Sequence, residues 1–234
     1  MAEPPAADAS GLMQLATLLQ QADSFFPSGA VAFSWGLESL VNEQQIQTAV
    51  QLEQLIAQHL YNRWASSDRA FMIAAYEAEN NLAAIQSIDQ LQDCMTLARE
   101  WREGSQRMGA ALLKVHAQLG TRNAKSYRML VLAHQAPGHA AIVQGMIGRS
   151  LQLSAEQLQL LAAHTLCVNL LSAAIRLSVI GHLDSQRILN RLRSAIANIL
   201  LEPVPPLHAT FTAMPMVDVA AMRHETQLSR LFSN

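Results

Sequence analysis

The sequence predicts an all-α fold: a single bundle of roughly ten helices around one central apolar helix, with a docked C-terminal tail. Three observations carry this. The only hydrophobic period that recurs is the helical one. No stretch alternates apolar and polar residues as a half-buried strand does. Hydrophobic residues make up 50% of the 234 positions and charged residues only 15%, where a small-domain surface usually carries about 25–35%. Such a chain can bury a large core and leaves a surface poor in charge, suited to association.

The opening Met1–Ser10 has neither a basic region nor an apolar core, so it reads as a disordered lead-in over 1–10 rather than a signal peptide. An apolar helix pattern follows at Leu12, Leu15, Leu18, Leu19 and Ala22. From Asp23 to Glu38 the chain then uses Pro27, Gly29 and Gly36 within ten positions and gathers Phe25, Phe26, Phe33 and Trp35, although aromatics are only 5% overall. Proline fixes its own φ, and glycine permits a tight turn or a close approach. The plain reading is a helical corner that plugs a core; aromatics serve equally as interface anchors.

Thr48 suits an N-cap for a helix carrying Leu52, Leu55, Ile56, His59 and Leu60 on one face. That pattern continues to Phe71, Ala74, Ala75 and Ala78, with a break expected near Ser66–Asp68. Asn80–Asn81 marks a turn or an interruption. Ile88, Leu91, Met95, Ala98 and Trp101 begin one long helix, extended by Met108, Leu112, Val115 and Leu119, with Gly120 at its C-terminal cap. Gly104, Ser105 and Gly109 offer a close approach to another helix.

Pro137–Gly138 is a turn, and His139 to Ile147 a short helix. Ser154 and Gln157 fit a capping box that opens the most apolar helix, expected to end near Gly181. Arg176, His164 and Asn169 argue against a membrane span. Arg176 on this apolar helix needs a partner, since an unpaired buried charge is very costly, and a carboxylate or helix-end carbonyls are expected opposite it. Asp184 reads as the cap of the next helix, which stops at Pro203–Pro206. The domain is therefore expected over 11–206. The tail, 207–234, shows no sustained period but carries Met214, Met216, Met222, Leu231 and Phe232, too apolar to float free.

Net charge is −2, with none of the basic face that nucleic acid requires. Cys94 and Cys167 stand far apart, without disulfide or zinc spacing, which suits a reducing cytoplasm. The sequence contains no phosphate-binding loop, dinucleotide fingerprint or nucleophile elbow. His224–Glu225 would need a second histidine where Leu228 stands. A helical-bundle metal-dependent enzyme using His134, His139, His164 and Cys167 remains the alternative on residue type alone.

Four ordered blocks resemble the urease accessory protein UreF family. They are Asp23, Pro27, Ser28, Gly29, Ser34, Gly36, Leu37 and Glu38; Arg99, Glu100, Arg102, Ser105, Met108 and Gly109; Arg176, Leu177, Gly181 and Gln186; and the closing Met214–Glu225 and Ser229–Ser233. Phe33 stands where that family usually has His, and His182 where it more often has Gln. The resemblance implies a non-enzymatic nickel-insertion chaperone with no cofactor of its own. Nickel would be handled by the complex and GTP bound by a partner. It implies a cytoplasmic homodimer that joins a UreD/UreH-type accessory protein, a UreG-type GTPase and apo-urease, with neither nucleic acid nor membrane as a partner. The partner-binding residues implied are Pro27, Gly29, Ser34, Gly36, Glu38, Arg176, Gly181, His182, Asp184, Gln186, Arg230, Leu231 and Phe232.

Overall fold

The computed structural model describes residues 9–79, 81–224, 231 and 232. Most of the expected lead-in lies outside them, and Ala9 and Ser10 already belong to the first helix. In chain order come α1 (Ala9–Ala22), a 3-10 turn (Ala30–Ala32), α2 (Leu37–Asn42) and α3 (Ala49–His59). A π-helical stretch (Leu60–Asp68) runs on into α4 (Arg69–Glu77). Then follow α5 (Leu82–Met95), α6 (Arg99–Gln118), α7 (Ala124–Leu132), α8 (Ala140–Ser150), α9 (Ala155–Arg176), α10 (His182–Leu201), a second 3-10 turn (Leu207–Ala209) and α11 (Pro215–His224). No strand occurs among the described residues.

The cap signals are realised in full at two helix starts. Thr48 accepts from the Gln51 N–H while the Gln51 side chain returns to the Thr48 N–H, and Ser154 and Gln157 repeat the arrangement. Each satisfies helix-end donors that would otherwise lack partners. Gly120, at φ 74°, takes the left-handed position just beyond α6.

α9 is the hub, packing against α1, α2, α3, α4, α8 and α10. Its length and composition would let it cross a membrane, but half of it is buried inside the protein. Arg176 is its last residue and is exposed, so burial by neighbouring helices, rather than that charge, makes α9 a core helix. α4 and α8 form the closest helix pair. α6 lies across α8 and α7, and its Gly109 faces the Gly138 carbonyl so closely that a Cβ would overlap it. Gly109→Ala should therefore destabilise the fold by about 1–3 kcal/mol, read as a lower urea midpoint with an unchanged slope.

Four expectations are corrected. The long helix from 88 to 119 is two helices, broken at Thr96–Ala98. There the Thr96 hydroxyl donates to Gln92 O (2.9 Å), and Arg102 Nη1 donates to Thr96 O and Leu97 O (2.8 and 2.9 Å). These bonds satisfy the end of α5 and turn the chain, although the apolar period continues through the break. No break occurs at Ser66–Asp68, where wider π turns carry the helix through. α9 stops at Arg176, with Ser178 in the left-handed region, rather than near Gly181. Gly181, not Asp184, is the N-cap of α10; Asp184 sits in the first turn and pairs with Arg187 at 3.0 Å.

α7 and α11 have no counterpart among the expected elements. α7 buries Tyr127 completely. Asp89 of α5 holds this corner, accepting from Tyr127 Oη (2.7 Å), Gly138 N (2.6 Å) and His139 N (3.0 Å).

Candidate functional site

The opening segment, the end of α9 and the tail meet at one place. After α1, Asp23 Oδ1 accepts from the Phe25 N–H at 2.8 Å, an Asx turn that directs the chain toward exposed Pro27. Gly29, at φ 77°, starts the 3-10 turn, and a Cβ there would come within 2.8 Å of Ala111 Cβ. Phe33 and Trp35 then enter the core, stacked at 5.4 Å, and Trp35 stacks on Trp101 at 5.2 Å. Phe25 stays outside, 91% exposed.

Ser34 and Glu38 are both buried. Ser34 Oγ accepts from the Glu38 N–H at the start of α2. Gly36, at φ 82°, lets α11 settle on this turn: a Cβ there would lie 3.0 Å from the Val217 side chain and 3.1 Å from its carbonyl. The Glu38 carboxylate then accepts from two tail amides, Leu231 N at 2.6 Å and Phe232 N at 3.2 Å. The Phe232 ring is buried, and the Arg176 guanidinium lies 4.2 Å from its centroid while Nη1 donates to Val31 O at 2.5 Å. Arg176 thus has a 3-10 carbonyl and an aromatic face as partners, and being exposed it did not need the carboxylate a buried charge would demand.

Ser34, Gly36, Glu38, Arg176, Leu231 and Phe232 therefore come together around the docked tail. Pro27 and Gly29 shape the approach to it. Gly181, His182 and Gln186 form a separate, exposed group at the N-terminus of α10, with Asp184 partly buried beside them. Arg230 lies outside the described residues.

The tail has a second hold that sequence reasoning missed. The Phe211 N–H donates to Ser66 O (3.1 Å), the Ala213 N–H to Asn62 O (3.0 Å), and Ser66 Oγ to Phe211 O (2.8 Å). Tail residues 211–213 thus run along the π-helical stretch. The apolar content of the tail was the available signal for docking; no local pattern marks the π turns.

The four alternative metal residues are scattered in role. His139 is buried, with Nε2 3.0 Å from Asp93 Oδ1. His134 is exposed in a left-handed turn position. Burial, then Arg193, lowers the pKa of His164, and burial pushes the Cys167 thiol up to about 12. Among the described residues no three metal-ligating side chains converge.

The buried His59 and His116 carry a clear pH signature. Burial, helped by Arg63, lowers His59 to about 3, and burial lowers His116 to about 4. Both must charge on unfolding in acid, so the unfolded chain binds more protons below about pH 6.5 and stability falls as pH drops from there. At pH 5, His59 alone accounts for about 2 kcal/mol of loss relative to pH 7. Urea midpoints of the wild type and His59→Leu across pH 5–7 check this: the variant should show the shallower decline.

The UreF family model matches residues 46–193, more than half of the chain. The chain belongs to the UreF family. It is similar to urease accessory protein UreF of Trichodesmium erythraeum, 28% identical over 96% of this chain and 99% of that protein. The corresponding protein of Haemophilus influenzae is 26% identical over 94% and 96%, and that of Actinobacillus pleuropneumoniae serotype 3 is 27% identical over 94% and 98%. UreF proteins are accessory factors that take part in urease maturation and are not enzymes. Membership of the UreF family replaces the metal-enzyme alternative with an accessory role.

Proposed function

We propose that this chain is an adaptor in nickel insertion, bridging a UreG-type GTPase and a UreD/UreH-type accessory protein to apo-urease. It acts as a homodimer in the cytoplasm. GTP belongs to the GTPase, and nickel is handled by the complex. The working unit is the helical domain, 11–206, together with the tail, 207–234.

The observation that supports this reading best is the use of the UreF motif residues. Glu38 and Gly36 fasten the tail onto the opening segment, and Leu231 of the tail stays exposed, as do Phe25 and Val31 of the opening segment. A tail fastened in this way offers a preformed surface, which lowers the ordering cost of binding. Exposed His182, Leu183 and Gln186 offer a second contact at the start of α10. The two are assigned to the second accessory protein and to the GTPase or dimer contact, respectively.

Co-purification with the urease operon products tests the assignment. Leu231→Asp, on the exposed side of the tail, should reduce capture of the UreD/UreH-type protein at least tenfold with little change in thermal stability. Unchanged capture would remove the tail from that interface.

A further inference from the structure

The π-helical stretch borders two cavities that the tail and motif residues leave unexplained. One, of about 220 Å³, reaches from the α8–α9 groove to His59, Gln92 and Ser105. The other, of about 240 Å³, lies beneath Phe211, Asp218 and Met222. Arg63, Asp68, Thr96 and Trp101 line both.

Besides Trp101 Nε1, two almost wholly buried polar side chains that line the first cavity lack, among the described residues, a partner at one atom each. They are His59, 1% exposed, at Nε2, and Gln92, 3% exposed, at Oε1. A buried polar atom without a partner carries a desolvation cost, and in native proteins it commonly marks an absent water, ion or ligand. Arg63 adds charge to the same wall. Its side chain is 13% exposed, with the guanidinium 3.7 Å from the Trp101 ring centroid. Its Nε is also 3.7 Å from Asp68 Oδ2, beyond hydrogen-bond distance. Among the described residues the Arg63 guanidinium thus has an ion pair with Asp68 and the Trp101 face but no hydrogen bond, on a wall shared by both cavities, and π turns in helices frequently occur at functional sites.

We infer that this cavity is a binding site for a small carboxylate-type anion, gripped by the Arg63 fork and completed by His59 Nε2 and Gln92. A planar two-oxygen anion matches the fork in a way that a spherical halide does not. The Gln92 oxygen accepts, so it meets a protonated oxygen or a water bridging to the anion.

The charges around Arg63 determine how binding depends on pH. Asp68 and Asp218 face it from the π stretch and α11, and His59 from α3; His139, the N-cap of α8, acts on Asp68 and pairs with Asp93 of α5. Burial is the largest influence on Asp68 and Asp218 and raises both, with Arg63 opposing. An incoming anion takes over the interaction with Arg63, so Asp68 becomes easier to protonate. Binding is therefore accompanied by proton uptake and tightens as pH falls.

Titration of the full-length protein with sodium formate and acetate tests this, with sodium chloride at equal ionic strength as the control. Tryptophan fluorescence, from Trp35, Trp64 and Trp101 on the cavity wall, should change saturably with the carboxylates alone. Calorimetry in buffers of different ionisation enthalpy should show proton uptake. Arg63→Lys keeps the charge and loses the fork, and should weaken binding at least tenfold; Gln92→Leu is a second variant that leaves Arg63 in place and should also weaken it. A response equalled by chloride, no saturable response in the wild type, or wild-type affinity in Arg63→Lys would each overturn the inference.

Discussion

Asp89→Ala is expected to lower stability by about 3–5 kcal/mol, the largest loss from any single side chain described above. The buried carboxylate holds three donors at once: the Tyr127 hydroxyl and the amides of Gly138 and His139. Truncation leaves all three buried without partners, and water cannot replace them without opening the corner. Burial raises the pKa of Asp89, while Tyr127 and the two amides oppose that shift. Those amides stay donors at every pH, so Asp89→Asn should retain part of the stability, with one oxygen still accepting. Urea unfolding of the two variants checks this. A loss under 1 kcal/mol in Asp89→Ala would show that the α5–α7–α8 corner is held by packing alone.

Glu38→Ala is expected to release the end of the tail. Two tail amides bond to this buried carboxylate, across 193 and 194 positions of sequence. Hydrogen bonds to a charged acceptor contribute about 1.5–3 kcal/mol each, comparable with the free energy of keeping a short terminal segment docked. Amide exchange at Leu231 and Phe232 should accelerate by at least a hundredfold, while α9 and α10 keep wild-type protection. Tail residues 211–213 should change less, because their bonds go to Asn62 and Ser66. Removing the Arg176 face from Phe232, as Arg176→Ala, should have a smaller effect in the same direction, since an exposed cation–π contact is worth about 0.5–1 kcal/mol.

The fold was legible wherever a local signal had a local cause. Thr48, Ser154 and Gly120 mark helix ends through bonds made within a few residues, and the apolar run through Cys167 and Leu170 marks the hub. The break at Thr96 was hidden because Ala98 and Trp101 keep the period of α5, while Arg102 holds the Thr96 and Leu97 carbonyls of the break from the far side. α7 begins after Asn123 in a left-handed conformation, and its buried tyrosine depends on Asp89, 38 positions earlier. No local pattern carries that pairing.

The candidate site divides the same way. The motif residues between Asp23 and Glu38 stand out for composition alone, because Pro27, two glycines and four aromatics crowd together. That Glu38 grips Leu231 and Phe232, and that Gly36 makes room for α11, needs contacts between chain ends. The apolar tail residues signalled docking, and the structure supplies the surface. The cavity beside Arg63 had no sequence signature, since His59 and Arg63 fit an ordinary helix face.

Activation of apo-urease by nickel tests the central claim most directly, comparing complexes assembled with the wild type and with Glu38→Ala. The variant should stay folded but lose most capture of the second accessory protein and most urease activation. Full activation by a variant whose tail is demonstrably released would contradict that claim.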